Sequence, residues 1–300
     1  KKNKITHIKG EGRLISHTTL EVSNGGSIET IEANSIILAT GGRPSAFPGM
    51  ELDGKKVISY KEAMILEKIP KKMIIIGSGA IGVEFAYFYN EYGTEIHLIE
   101  MLPRIVPAED EDISKELKRN FKRAGINIHT DSIVSKIDAL KSKVKVNLER
   151  KGENKIIEGN IALVAVGVTG NIEDIGLEGI GVVVDKGVIT INEFNQTSIP
   201  NIYAIGDVTG PPWLAHVASA QGNIAAEHAA GKDTIPVDYS NIPGCTYCQP
   251  QVASIGLTER MAKEKGHEIK IGKFNFNASG KAMATGNTNG FVKLVFDNKY

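Results

Sequence analysis

Residues 74–84 read Ile-Ile-Ile-Gly-Ser-Gly-Ala-Ile-Gly-Val-Glu. An apolar run enters Gly77-x-Gly79-x-x-Gly82, a segment with helical spacing follows, and Glu100 closes the next apolar run, Ile96-His97-Leu98-Ile99. Strand, glycine turn, helix, second strand and acid in that order make a dinucleotide-binding fingerprint in the context it requires. Gly77 permits the sharp strand-to-helix turn, Gly79 lets the backbone approach a pyrophosphate, and Gly82 lets helix and strand pack closely. The phosphates then meet unpaired N–H groups at the positive end of the helix. Glu100 is placed to accept hydrogen bonds from the ribose 2′- and 3′-hydroxyls, whereas a 2′-phosphate there would meet a like charge, so NAD is expected rather than NADP. Arg104 is near enough in sequence to meet a 2′-phosphate, yet one arginine beyond the strand end does not outweigh a carboxylate at it. Gly10-Glu11-Gly12 lacks a third glycine and sits among β-type residues, so it makes no second fingerprint.

From Met73 onward the pattern predicts strand, helix (Ile81 to Tyr92), strand (Glu95 to Glu100), helix (Glu109 to Ala124) and strand (Asn127 to Thr130). Such alternation means a parallel sheet with crossover helices, and the fold class is α/β. The second helix carries Ile113, Leu117 and Phe121 on a core face, with Asp112, Ser114 and Lys118 on a charged face that needs no function. Strands around Val134 to Ile137, Val144 to Leu148 and Ile156 to Ile157 complete the lobe as a β-meander. An earlier meander is expected from Ile5 to Ile8, Thr19 to Val22 and Ile28 to Ile31. The buried-strand patterns Ile36 to Gly42 and Ile161 to Gly167 each end in glycine and would each close a lobe. Residues 44–54, with Pro44, Pro48, Gly49 and Gly54, read as a linker. Thr197 to Asp207 reads as a buried strand ending on Gly206-Asp207, followed by Trp213-Leu214-Ala215-His216 and a small-residue helix through Ala230. A carboxylate at a strand's C-terminal end is where α/β sheets hold ligands, but taken alone Asp207 is equally a turn or N-cap residue.

Thirty-five basic and 35 acidic residues give zero formal charge, which argues against nucleic acid or an anionic membrane as partner. At 300 residues and 41% hydrophobic content the chain should form two or three domains. No apolar run approaches the ~20 residues that span a bilayer, and the basic start is not followed by a signal-type apolar segment, so a cytoplasmic setting is the default expectation. The sequence lacks an initiator Met and ends within a predicted strand, Gly290 to Phe296, so it reads as an internal piece of something longer. Cys245-Thr246-Tyr247-Cys248 tempts a redox or zinc reading. A zinc site needs two more ligands at suitable spacing, and a thioredoxin-like site wants its first cysteine at a helix start, whereas Pro250 and a predicted strand, Gln251 to Ile255, follow here. These cysteines are read as structural thiols, with an adventitious disulfide as the alternative, and no metal site is expected. His7, His17, His97, His129, His228 and His267 read as surface or sheet positions, and Phe85, Tyr87, Phe88 and Tyr89 as core and interface.

The combination of Ala39-Thr40-Gly41-Gly42, the Gly77 fingerprint, Thr197 through Asp207 and Leu214-Ala215-His216 resembles the class I flavoprotein disulfide reductases, above all their dihydrolipoamide dehydrogenase branch. The resemblance covers essentially the whole chain. It implies two Rossmann-like FAD and NAD lobes with β-meanders, the FAD lobe partial, plus part of an α+β interface domain. Residues 1–47 then form the last part of the FAD lobe, 48–168 the NAD-binding domain, 169–240 a return to the FAD and central region, and 241–300 the start of the interface domain. Gly12, Thr40, Gly41 and Gly42 match backbone contacts to FAD, and Asp207 matches the carboxylate that binds the ribityl chain. Trp213, Leu214, Ala215 and His216 match the helix start beneath the flavin, His216 as a backbone donor. Gly77, Ser78, Gly79, Ala80, Ile81, Gly82, Val83, Glu84, Glu100, Val134 and Gly167 match NAD contacts. Glu84 would orient the nicotinamide, the alternative being an exposed helix carboxylate.

The family's redox-active Cys-x4-Cys pair and its His-Glu acid/base pair fall in neither half of this sequence, so no catalytic residue is assigned. Gln249 stands where relatives often have histidine, and Val168-Thr169-Gly170-Asn171 departs from the usual Gly-Arg-x-Pro. The implied partners are the dihydrolipoyl domain of an acyltransferase subunit and a second copy of the chain. The rivals are an NADPH-linked reductase of the glutathione, mercuric or trypanothione type, and a nucleotide-binding module without redox activity.

Overall fold

The computed structural model describes residues 3–299. Contacts divide them into two compact units, one built from residues up to Arg43 with Val168–Tyr239, the other from Pro44–Gly167 with the residues from Ser240 onward. No helix among the described residues is long and apolar enough to cross a membrane.

The second unit is organised by a five-stranded parallel sheet in the order Val57–Ile58, Ile161–Val164, Lys72–Ile76, Glu95–Ile99, Asn127–His129. Its central strands are continuous apolar runs because both of their faces are covered. Met73, Ile75, Ile96, Leu98 and Leu163 point to one side, against Val83, Ala86 and Tyr89 of helix Ala80–Glu91 and Leu117 and Phe121 of helix Glu111–Arg123. Ile74, Ile76, Ile99, Ala162 and Val164 point to the other, against Val134, Ile137, Val144, Val146, Leu148 and Ile157. Those residues come from the antiparallel meander Ile133–Ala139, Val144–Arg150 and Glu153–Gly159, whose register shifts between Val134 and Lys136. Residues 44–54 are not the free linker expected from their turn chemistry. Met50 is buried in the meander core, and the Gly49 carbonyl accepts from the Ile137 N–H at 2.8 Å.

Two histidines interrupt the sheet's apolar character at its edge. His97 and His129 stack with ring centroids 5.2 Å apart, and His97 Nδ1 lies 3.0 Å from His129 Nε2. His97 Nε2 reaches Glu95 Oε1 at 2.9 Å, and Lys72 pairs with the same carboxylate. Burial, helped by the neighbouring His97, Lys155, Arg150 and Lys72, pushes His129 down to about 4, and burial also lowers His97 despite its Glu95 partner. A histidine held neutral in the fold but free to protonate when unfolded contributes stability above its ordinary value of 6.5 that drains away toward pH 4. The loss across that window should be roughly 2–3 kcal/mol at most. Urea unfolding between those pH values reads it, and a His129→Gln protein with the same slope as the parent would refute the assignment.

The first unit carries an antiparallel meander, Glu11–Leu14, Thr19–Asn24 and Ser27–Glu32, and a parallel pair, Ile36–Leu38 beside Ile202–Ala204. The meander's first strand is Glu11–Leu14, not Ile5 to Ile8. Ile5 and Ile8 are exposed, whereas Leu14 is buried in the unit's core with Ile36, Leu38, Leu177, Ile202, Ala204 and Val208. The glycine pair set aside as a decoy thus opens a strand, and at Gly10 an added Cβ would meet the Ser23 carbonyl at 2.6 Å.

Candidate functional site

In the second unit the glycine turn lies between strand Lys72–Ile76 and helix Ala80–Glu91, as its spacing demands. Gly77 has φ of 98°, and its N–H donates to the Ile99 carbonyl at 2.9 Å. Gly79 is the helix N-cap, exposed, with no side-chain cap bond, and a Cβ added there meets nothing within 4 Å. An uncapped twelve-residue helix whose first turn opens onto free space is a ready anion site, and the turn fits the pyrophosphate of a dinucleotide.

Glu100, only 6% exposed, stands beside this turn. Its Oε2 accepts from the Ser78 N–H at 3.0 Å and the Ser78 hydroxyl at 2.7 Å, and its Oε1 from the Leu102 N–H at 2.9 Å. Arg104 is committed elsewhere, to Glu111 at 3.0 Å and the Pro107 carbonyl at 3.1 Å. The Val134 side chain belongs to the meander core. Gly167 accepts from the Ser45 N–H at 3.0 Å through its carbonyl.

Glu84 is half-buried on the same helix, and its Oε1 accepts from the Tyr247 N–H at 2.7 Å. It is therefore not a merely solvated helix carboxylate, because it ties helix Ala80–Glu91 to the turn that follows strand Gly244–Thr246. Cys248 behind it is buried in the core, donates to the Pro250 carbonyl, and is pushed up to about 12 by burial and by the Glu84 charge. A thiol held protonated to that degree is a poor nucleophile. Cys245 is exposed, and both cysteines are free.

In the first unit, Thr40-Gly41-Gly42 follows strand Ile36–Leu38 and Asp207 follows its parallel neighbour Ile202–Ala204. Both segments thus leave the C-terminal edge of one strand pair, where α/β sheets open their crevices. Thr40 donates to the Asn171 carbonyl at 2.7 Å, the Asn171 side chain returns a bond to the Thr40 carbonyl at 2.8 Å, and Gly41 adopts a φ of 72°. A Cβ on Gly42 would stand 3.1 Å from Asp207 Cβ, so the glycine lets the two strand ends converge. Asp207 sits in the short 3-10 turn Gly206–Thr209, and Gln221, buried on helix Ala215–Ala229, accepts from the Gly206 N–H at 2.7 Å. That helix also lacks a side-chain N-cap, with Trp213 half-exposed and Ala215 and His216 exposed at its start. Gly12 is carried separately, exposed on strand Glu11–Leu14 opposite Val22. The sequence alone does not single out Gln221 or the hydroxyl of Ser78, whose partners lie 15 and 22 residues away and are set by folding.

Two strand ends of this build, each beside a helix without a side-chain N-cap, are the arrangement of a dinucleotide-binding α/β fold. Residues 1–222 match the family described as pyridine nucleotide-disulphide oxidoreductase, residues 242–300 match its dimerisation domain, and the chain belongs to this family. Among its relatives, the dihydrolipoyl dehydrogenase of Zymomonas mobilis is 44% identical over 99% of this chain and 64% of its own length. That of Rhizobium etli is 42% identical over 100% of this chain and 66% of its own. The chain thus spans a little under two thirds of the curated relatives it matches. Among solved structures, LpdA from Mycobacterium tuberculosis superposes with a TM-score of 0.89 at 26% identity, over 97% of this chain and 64% of that one. A Cu(II) complex of the HOCl-induced flavoprotein disulfide reductase RclA from Escherichia coli gives 0.87 at 25% identity, over 97% of this chain and 66% of that one.

Proposed function

We propose that this chain is the nucleotide-binding part of a dihydrolipoyl dehydrogenase, which oxidises dihydrolipoyl groups on an acyltransferase subunit and passes the electrons to NAD. The geometric observation that carries the choice of nucleotide is Glu100, a carboxylate with three internal donors at the end of the strand after the glycine turn. The choice of reaction leans on relatives of that name at 41–44% identity. Bound together, FAD and NAD supply the hydride transfer.

The chain's own residues bind and orient. The turn Gly77–Gly82 offers N–H groups to a pyrophosphate, and Glu100 receives the adenine-side ribose. Thr40, Gly41 and Gly42 offer backbone, and Asp207 a carboxylate, to the second nucleotide. The start of helix Ala215–Ala229, which has no side-chain N-cap, would lend its positive end to a reduced flavin bound there. At ~1 kcal/mol for a helix-end contact and ~30 mV per 1.4 kcal/mol for a two-electron couple, that effect is about 20 mV, a tuning of the potential and no more. Residues 242–300 would bring two copies together through the dimerisation domain they match.

Glu84 holds the helix of the glycine turn against the Tyr247 backbone and orients the nicotinamide. Glu84→Gln keeps an acceptor for the Tyr247 N–H, so folding should be untouched. Flavin reduction by NADH in the full-length enzyme should nonetheless slow by at least about tenfold, as a misoriented reactant does. An unchanged rate in stopped-flow absorbance would remove Glu84 from the site. Flavin reduction by NADH against NADPH tests the proposal as a whole, and preference for NADPH would move the protein to the glutathione or mercuric reductase type.

A further inference from the structure

We propose that Ser78 is a positioning residue that sets nucleotide specificity, by clamping the Glu100 carboxylate in the single orientation that receives a ribose hydroxyl and refuses a 2′-phosphate. This rests on the reading of the Gly77–Gly82 turn as an NAD site.

Ser78 occupies the silent first x of the fingerprint, where any small residue satisfies the turn. It is fully buried, and it turns both of its donors on one oxygen, Glu100 Oε2, at 3.0 Å from nitrogen and 2.7 Å from the hydroxyl. Neither end of this contact is free to drift. The Ser78 carbonyl accepts from the Val106 N–H at 2.8 Å, and the preceding Gly77 N–H is bound to Ile99. The Glu100 N–H donates to the His129 carbonyl at 2.8 Å, and its carbonyl accepts from the Ser132 N–H at 3.0 Å.

A carboxylate has about four acceptor sites. Ser78 fills both of those on Oε2, and Leu102 fills one on Oε1. One site on Oε1 is left for a ligand, enough for one strong bond from a ribose hydroxyl and not for both the 2′- and 3′-hydroxyls expected from the sequence. The same clamp explains exclusion. To admit a 2′-phosphate the carboxylate would have to swing aside and abandon three hydrogen bonds to a charged group, and Arg104 is already engaged with Glu111 and Pro107. Discrimination therefore belongs to the pair Ser78–Glu100, not to the acid alone.

The test is calorimetric titration of the full chain with NADH and with NADPH, reading the ratio of the two dissociation constants. Ser78→Ala should lower the ratio Kd(NADPH)/Kd(NADH) by roughly tenfold, the worth of one hydrogen bond to a charged group. A residue that only packs would weaken both nucleotides alike, and an unchanged ratio in Ser78→Ala overturns the proposal while leaving the NAD site standing. Glu100→Asp keeps the charge but withdraws it from Ser78 by one methylene, so it should produce a similar fall even if Ser78→Ala does not fold. Retention of the parent ratio in Glu100→Asp also overturns the clamp. A parent chain that binds neither nucleotide, or prefers NADPH, removes the NAD reading itself and the proposal with it.

Discussion

Gly82→Ala should cost the protein at least about 3 kcal/mol in urea unfolding, at the upper end for an overpacked site. In an ordinary helix the same change stabilises by up to about 1 kcal/mol, because alanine gives up less backbone entropy than glycine. Here the sign reverses. The added Cβ would stand 1.9 Å from the Gly77 carbonyl oxygen and 3.0 Å from its carbon. Both are backbone atoms, so no side chain can rotate out of the way. Gly77 has nowhere to retreat either. Its N–H is tied to Ile99 at 2.9 Å, and the space where its own Cβ would be lies 2.3 Å from the Ala165 carbonyl oxygen. Ala165 in turn is fixed by its N–H to Ile76 at 2.8 Å. Relief must come from prising the helix off the strand, which opens the core between Val83 and the sheet. Stability within about 0.5 kcal/mol of the parent, the span of a surface substitution, would show that the turn yields more easily than this geometry allows.

Gly79→Ala separates folding from binding in the same motif. The position has φ of −68° and ψ of −174°, which any residue adopts, and the new methyl meets no atom of the chain. Unfolding should be nearly unchanged, while NADH affinity falls by at least about tenfold, or about 1.4 kcal/mol, because the methyl occupies the approach to the helix N-terminus.

The contrast between these two glycines shows what a sequence makes legible. The fingerprint was readable because its demands are local: a turn, a helix start and an acid roughly 20 residues further on. The parallel sheet was readable because strands buried on both faces must be apolar throughout. Segments whose burial depends on distant partners were not readable. Ile5 to Ile8 alternates like a strand but has no core to face, and Leu14, two residues beyond Gly12, does. Residues 44–54 carry turn chemistry, yet Met50 is drawn into the meander core. At the site, Glu100 was recognisable by position, but its two donors from Ser78 depend on how two strand ends meet. The face of helix Glu111–Arg123 shows the same limit most plainly. Asp112, Ser114 and Lys118 read as one charged face, but Ser114 is buried and donates to the Ile105 carbonyl at 2.7 Å, Lys118 donates to Thr130 at 3.2 Å, and Asp112 binds a lysine 181 residues away.

That lysine, Lys293, should be costly to remove. Its side chain is 6% exposed on strand Phe291–Asp297, with Nζ 2.8 Å from Asp110, 2.7 Å from Glu259 and 3.2 Å from Asp112. Three donors thus meet three carboxylates. Asp110 caps helix Glu111–Arg123 and also accepts from the Glu259 N–H at 3.2 Å, so the cluster joins the nucleotide-binding fold to the stretch matching the dimerisation domain. Lys293→Met leaves three acids facing one another. Breaking a buried pair costs about 3–5 kcal/mol, and the lower end, about 3 kcal/mol, applies because Glu259 and Asp112 are about one third exposed.

The pH dependence gives the cluster a signature that packing alone would not. Burial works against the ionised Asp110, but the Lys293 ammonium and the N–H groups of Asp112 and Glu259 outweigh it and hold the carboxyl below its ordinary 3.8. Lys263 and then Lys293 hold Glu259 below 4.5. Burial likewise opposes the Lys293 charge, and its three carboxylate partners overcome that and raise it above 10.5. Lowered carboxylates contribute stability that is present above their ordinary values and lost as pH falls through the folded ones, and the raised lysine contributes stability lost only as pH climbs past 10.5. The gap between parent and Lys293→Met should therefore be full between about pH 5 and 10 and shrink below about pH 3. A gap as wide in acid as at neutrality would mean the methionine costs packing, not charge. Adding Asp110→Asn, Asp112→Asn and Glu259→Gln to Lys293→Met should recover part of the loss at neutral pH, since it removes the uncompensated acids while asparagine still caps the helix.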